Sequence, residues 1–195
     1  PEQLVALAQL AEGWGYHAEA EEAWWQVANG SDNARAALGA LQHLYRSKQN
    51  TRGLLRVAKR ALELNPDDLL AANSCANLGL LVSNDSTARR LALKLHHEHP
   101  DDRAFAATYA YALHTEGKRA EALKVLEKLK EEELRNPAIA AYYVVMLTDD
   151  GKLERARSFL GDAQRATLLP EEQQLLDAAV RTLLHGEASK GVAQN

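Results

Sequence analysis

Two consecutive stretches of this chain share one layout, and that repetition constrains the fold more than any other feature. Residues 103–136 read RAFAATYAYALHTEGKRAEALKVLEKLKEEELRN, and the next stretch reads PAIAAYYVVMLTDDGKLERARSFLGDAQRATLL. Gly117 and Gly151 stand 34 residues apart, as do Ala122 and Ala156. Each copy reads as helix, short glycine turn, helix. Pro66, Pro100, Pro137 and Pro170 follow one another at 34, 37 and 33 residues, so helix breakers recur at about the same period. A chain with this periodicity grows by stacking small helical units and has no single closed core.

Stepping by 34 places Gly15, Gln49, Ser83, Gly117 and Gly151 at the turn, and Ala20, Leu54, Ala88, Ala122 and Ala156 in the second helix. Glycine suits the turn because a helix often ends in a residue with positive φ. Gln49 and Ser83 depart, so the second and third units are expected to turn differently. This layout resembles the tetratricopeptide repeat, in a divergent, bacterial-type form; no unit has the family's Leu-Gly pair at its usual place. The resemblance implies that the recurrent alanine is small because the second helix crosses its own first helix closely there. Leu54 departs from that, and the neighbouring Gly53 is expected to supply the close approach.

The resemblance predicts an all-α, right-handed α-solenoid of five helix-turn-helix repeats plus a C-terminal capping helix. The repeats run 1–34, 35–68, 69–102, 103–136 and 137–170. The capping helix covers 171–185, with Pro170, Glu171 and Glu172 favourable at its start. Residues 1–186 read as a single domain and 187–195 as a tail. The chain opens at Pro1 with neither an initiator Met nor a signal-peptide pattern, as expected of a fragment of a longer protein.

Composition narrows the function. Apolar residues make up 46% of the chain, enough for a continuous helix–helix seam. The net charge is −4 with no basic run of five, which disfavours nucleic acid and anionic membrane surfaces. No apolar run approaches the ~20 residues of a membrane span. Cys75 is the single cysteine, expected as a small core residue, and one cysteine rules out an intrachain disulfide. No cofactor motif is present, and nothing in the residues assigns a compartment.

In the resembled family the first helices line a groove that meets a ligand. Carried onto this register, the groove positions are Val5, Gln9 and Glu12; Gly39, His43 and Arg46; Asn73, Asn77 and Leu80; Ala107, Tyr111 and His114; Ala141, Val145 and Thr148. Asn73 and Asn77, four apart, share a helix face, and an Asn amide both donates and accepts. They are expected to clip the backbone of an extended peptide. The basic clamp with which chaperone cofactors of the family grip a C-terminal carboxylate is missing, because its positions hold Val5, Gly39 and Ala104.

Four further features bear on chemistry or binding. His43, Arg46, Tyr111 and His114 read as a polar binding wall, since an active site would need a nucleophile and an orienting carboxylate beside them. The HHEH run at 96–99 reads as a helix C-terminus rather than a metal site. Trp14, Trp24 and Trp25 put every tryptophan in the first repeat, either as core or as an interface. KLKEEELR at 128–135 reads as a solvated helix end. The expected function is non-catalytic binding of a protein or peptide partner, without metal or cofactor. The alternative is a structural spacer or oligomerisation module docking through the Trp-rich repeat, which allows a homo-oligomer.

Overall fold

The structure, a computed structural model, describes residues 2–30 and 32–192, with side chains through His185. The described residues form helices and turns only. The helices are α1 (Glu2–Gly13), α2 (His17–Asn29), α3 (Ala34–Ser47), α4 (Thr51–Leu64), α5 (Leu69–Val82) and α6 (Ser86–Glu98). They continue with α7 (Arg103–Thr115), α8 (Arg119–Leu126), α9 (Glu131–Leu134), α10 (Pro137–Asp149), α11 (Leu153–Ala163) and α12 (Pro170–Val192). In chain order the described helices make five successive hairpins and a closing helix. The chain divides into two compact units, Pro1–Leu78 and Gly79–Asn195.

Local chemistry sets most helix ends. Asn50, Asp68, Asp85 and Asp102 each accept a backbone N–H of the first helical turn through a side-chain oxygen, at 2.8–3.1 Å. Such caps satisfy donors that no helical carbonyl reaches. Pro137 and Pro170 sit at first helical positions, where a missing N–H costs nothing.

Four of the five hairpin turns close with the same pair of bonds. In the first, Gly15 N–H donates to Glu12 and Tyr16 N–H donates to Ala11. Gly117 and Gly151 repeat this pattern, with φ of 77° and 78°. So does Gln49, which takes φ of 50° itself. The expectation that the second repeat turns differently is thus corrected: the six-residue Schellman closure is strong enough to hold a glutamine in the left-handed region. The third repeat does differ. Its left-handed residue is Asn84, φ 47°, one position beyond Ser83.

Small residues lie at the helix crossings. Ala20, Ala122 and Ala156 are fully buried and Ala88 nearly so. A Cβ on Gly79 would lie 2.9 Å from that of Ala88, so these two residues set how closely α5 and α6 approach. At Gly53 a Cβ would fall 2.4 Å from the Tyr45 ring, so Gly53 supplies the close approach that Leu54 does not.

In the first unit α1 packs on α2, α2 on α3 and α3 on α4. Trp24, Trp25, Leu41, Leu44 and Tyr45 fill the interior. In the second unit α10 is the centre, touched by α7, α8, α9, α11 and α12. Every residue from Ile139 to Thr148 is buried. Two expectations change here. The run 128–135 is not one helix end: α8 stops at Leu126, and α9 is a separate turn capped by Glu133 on the Lys130 N–H, 3.0 Å. Leu134 is buried, and Arg135 bridges Asp162 and Glu131. The closing helix also continues past His185 and Gly186 to Val192, through most of the expected tail; residues 193–195 lie outside the described residues.

Candidate partner-binding surface

The first unit presents α1, α3 and α5 as its first helices, and the polar groove residues expected on them are Gln9, Glu12, His43, Arg46, Asn73 and Asn77. Gln9, His43 and Arg46 are exposed, while Glu12, Asn73 and Asn77 are half-buried. The Glu12 carboxylate is partly committed, accepting from Trp24 Nε1 at 3.3 Å. Oδ1 of Asn73 is buried with no hydrogen-bond partner. An acceptor in that state costs about 1–3 kcal/mol, so native structures rarely leave one without a reason.

The second unit treats the equivalent positions differently. Tyr111 is buried, its ring tilted against Tyr142 with centroids 4.9 Å apart and stacked on His114 at 6.4 Å. Burial, aided by the nearby Glu172 and Glu171 carboxylates, pushes its phenol up to about 12. Thr148 is buried and its hydroxyl donates to the Val144 carbonyl at 2.8 Å. His114 meets Asp149 at 2.7 Å. Ala107, Ala141 and Val145 are buried as well. These side chains serve the unit's own packing, because α12 lies along α10 and Tyr142 donates to Glu172 at 2.6 Å. A signal for this was present in the sequence. IAAYYVVML has no polar face, and a helix apolar all round is buried all round.

The three tryptophans separate. Trp24 and Trp25 are buried at 5% and 6% exposure, while Trp14 is 69% exposed. In the turn after α1, Trp14 meets Tyr16 edge-on at 6.2 Å, and Leu7 and Leu10 are exposed on α1. Trp25 Nε1 donates to the Tyr45 hydroxyl at 2.8 Å, which donates to Glu21 at 2.6 Å. Burial, then the Glu21 bond, raises the Tyr45 pKa above the ordinary phenol value.

His114–Asp149 is a histidine–carboxylate pair, but the neighbouring Thr148 hydroxyl is buried and bonded, and the Tyr111 phenol stays protonated. Burial pushes the Cys75 thiol up to about 11, the behaviour of a core residue and not a nucleophile. His96 stacks on Tyr109, centroids 5.1 Å apart, and burial followed by the Lys128 and His97 charges lowers its pKa. The run 96–99 does close α6, as expected, with His96 set against Tyr109. Among the described residues no group of three or more His, Cys, Asp or Glu is placed to hold a metal ion. Nor is any helix among them long and apolar enough to cross a membrane.

No protein-family model matches the chain, and no curated protein matches it. Among solved structures the chain is similar to one described as "MamA AMB-1 P212121", at 19% identity and a TM-score of 0.48. The match covers 91% of this chain and 96% of that one. At that identity and score it assigns no residue and no role.

Proposed function

We propose that the protein is a non-catalytic interaction scaffold, and that the first-helix face of the unit 1–78 holds an extended segment of a partner protein. The observation that carries this reading is the unpartnered Oδ1 of Asn73, one turn from Asn77. Turned toward a peptide N–H, the Asn73 amide gains the bond it lacks in the free chain. Gln9, His43 and Arg46 add exposed polar groups on α1 and α3. Tyr111, His114 and Thr148 are left out of this surface because packing within their own unit engages them.

The test places a photo-crosslinking residue at His43 and, separately, at Arg90 on α6. A partner captured from His43 but not from Arg90, and lost in Asn73→Ala/Asn77→Ala, supports the reading. Equal capture at both sites, or capture that survives the double substitution, rejects it.

A second reading is favoured by one observation. Leu7, Leu10, Trp14 and Tyr16 form an exposed apolar group at the start of the chain. Contiguous apolar surface of this kind marks contacts with other protein. Docking through this end, as a spacer or oligomerisation module, would rest on Trp14 and not on Trp24 or Trp25. Sedimentation of Trp14→Ala beside the native chain tests it: an unchanged mass across concentrations removes the reading.

A further inference from the structure

Helix α4 carries Arg52, Arg56, Lys59 and Arg60 against a single acid, Glu63, in a chain whose net charge is −4. Arg60 has structural work. Its guanidinium donates to the Ala28 and Asn29 carbonyls at the end of α2, at 3.1 and 3.4 Å, and pairs with Glu63 at 3.1 Å. The other three do not pair. Arg52, Arg56 and Lys59 are exposed, and among the described residues none forms an ion pair. At positions i, i+4 and i+7 they share one arc of the helix, over about 10 Å of its axis.

This arc borders a furrow between α2 and α4. The Arg56 guanidinium lies 3.8 Å above the centroid of the Trp25 ring. Trp25 is in turn fixed by its bond to Tyr45, and Tyr45 by Glu21. Trp25 and Arg56 line a depression of about 390 Å³ with Arg52, Lys59 and the Arg60–Glu63 pair. They also line one of about 460 Å³ with Glu21, Glu22 and Gln26 of α2. A guanidinium already held on an aromatic face loses little freedom when it takes a carboxylate.

We propose that this furrow is a docking site for an acidic peptide segment of a partner protein, with carboxylates meeting Arg52, Arg56 and Lys59. Charge complementarity selects the occupant. The arc is short and the α2 rim carries Glu21 and Glu22, so anionic groups are accepted on the α4 side of the furrow only and a phosphate backbone, charged at every residue, is repelled. A peptide instead alternates its charges with neutral groups. In an extended segment side chains on one side recur every ~6.7 Å, close to the ~6 Å rise between Arg52 and Arg56. The fitting segment therefore carries acids at alternate positions, with neutral residues toward Gln26 and Asn29. The surface belongs to second helices and is separate from the first-helix face proposed above.

The probe is a fluorescein-labelled peptide of about ten residues with Glu at alternate positions, followed by anisotropy against the whole chain at low salt. The expected result is saturable binding that weakens with added salt and is absent for the Gln counterpart. Arg52→Gln/Arg56→Gln/Lys59→Gln is expected to weaken it at least ~10-fold, at about three-fold per charge pair. All three side chains are exposed, and an unchanged melting curve confirms that the variant folds. Asn73→Ala/Asn77→Ala is expected to leave this binding unchanged, which separates it from the first-helix reading. Failure of the native chain to bind the Glu peptide overturns the proposal, as does equal affinity in the triple variant. Tighter binding of a single-stranded RNA of matched charge, lost in the same variant, also overturns it and assigns the furrow to nucleic acid.

Discussion

The Tyr142 hydroxyl and the Glu172 carboxylate, 2.6 Å apart, join α12 to α10 along the face that the repeat register leaves open. Glu172 also accepts the Leu169 N–H at 2.9 Å through its second oxygen, so one carboxylate caps α12 and anchors it. Hydrogen bonds to a charged acceptor contribute about 1.5–3 kcal/mol. Tyr142→Phe is expected to lower unfolding free energy by about that amount. Glu172→Gln should cost a similar amount, and the double variant less than the sum of the two. Urea unfolding of the three variants measures this; strict additivity would show that the two groups do not interact.

Gly53, in the first turn of α4, and Gly39, inside α3, have opposite surroundings. A methyl at Gly53 meets the Tyr45 ring at 2.4 Å, and that ring is held by Trp25 and Glu21. At Gly39 nothing lies within 4 Å. Gly53→Ala is expected to destabilise by ~2 kcal/mol or more through overpacking. Gly39→Ala is expected to stabilise by ~0.5–1 kcal/mol, because alanine loses less conformational freedom in a helix. Thermal melts of the pair decide it, and the same sign for both would contradict the packing described for Tyr45.

Gln49 occupies a backbone conformation that glycine takes at three equivalent turns. Gln49→Gly is expected to raise stability by about 0.5–1 kcal/mol, since a non-glycine residue in the left-handed region costs ~1–2 kcal/mol and glycine's extra freedom when unfolded offsets part of the gain. Gly117→Ala should lose ~1 kcal/mol at the matching position. Equal melting temperatures for native and Gln49→Gly chains would show that the turn holds no strain.

His96 gives the stability a dependence on pH with a definite sign. Its folded pKa lies below the ordinary 6.5, first through burial and then through Lys128 and His97. The unfolded chain therefore takes up a proton at a pH where the folded chain does not. The contribution is fully present above pH 6.5, falls as pH drops from there toward the folded pKa, and is flat below it. His96→Gln is expected to flatten the stability profile in that window relative to the native chain. Parallel profiles would place the histidine in contact with solvent instead of against Tyr109.

Much of the fold was legible because its determinants are local. A cap needs one side-chain oxygen and the N–H two or three residues on, as at Asp85 and Asp102. A Schellman turn needs a residue that tolerates positive φ, so Gly15, Gly117 and Gly151 mark three hairpins. The small-residue register at Ala20, Ala88, Ala122 and Ala156 likewise repeats with the helix pairs. Gln49 shows the limit of such reading: the two closing hydrogen bonds, not the residue type, decided the turn.

The candidate surface was less legible, because repeat position says which way a residue points and not what lies opposite. Tyr111 holds the same register as exposed Gln9 and His43, and Thr148 that of exposed Arg46, yet packing within their own unit encloses them. Trp25 read as an ambiguous aromatic until the fold set the ring between Tyr45 and Arg56. The period, the caps and the helix pairing were thus set by the sequence itself, through interactions within a few residues of one another. Which faces stay open was decided only when distant helices packed, because burial depends on neighbours tens of residues away that no local spacing encodes.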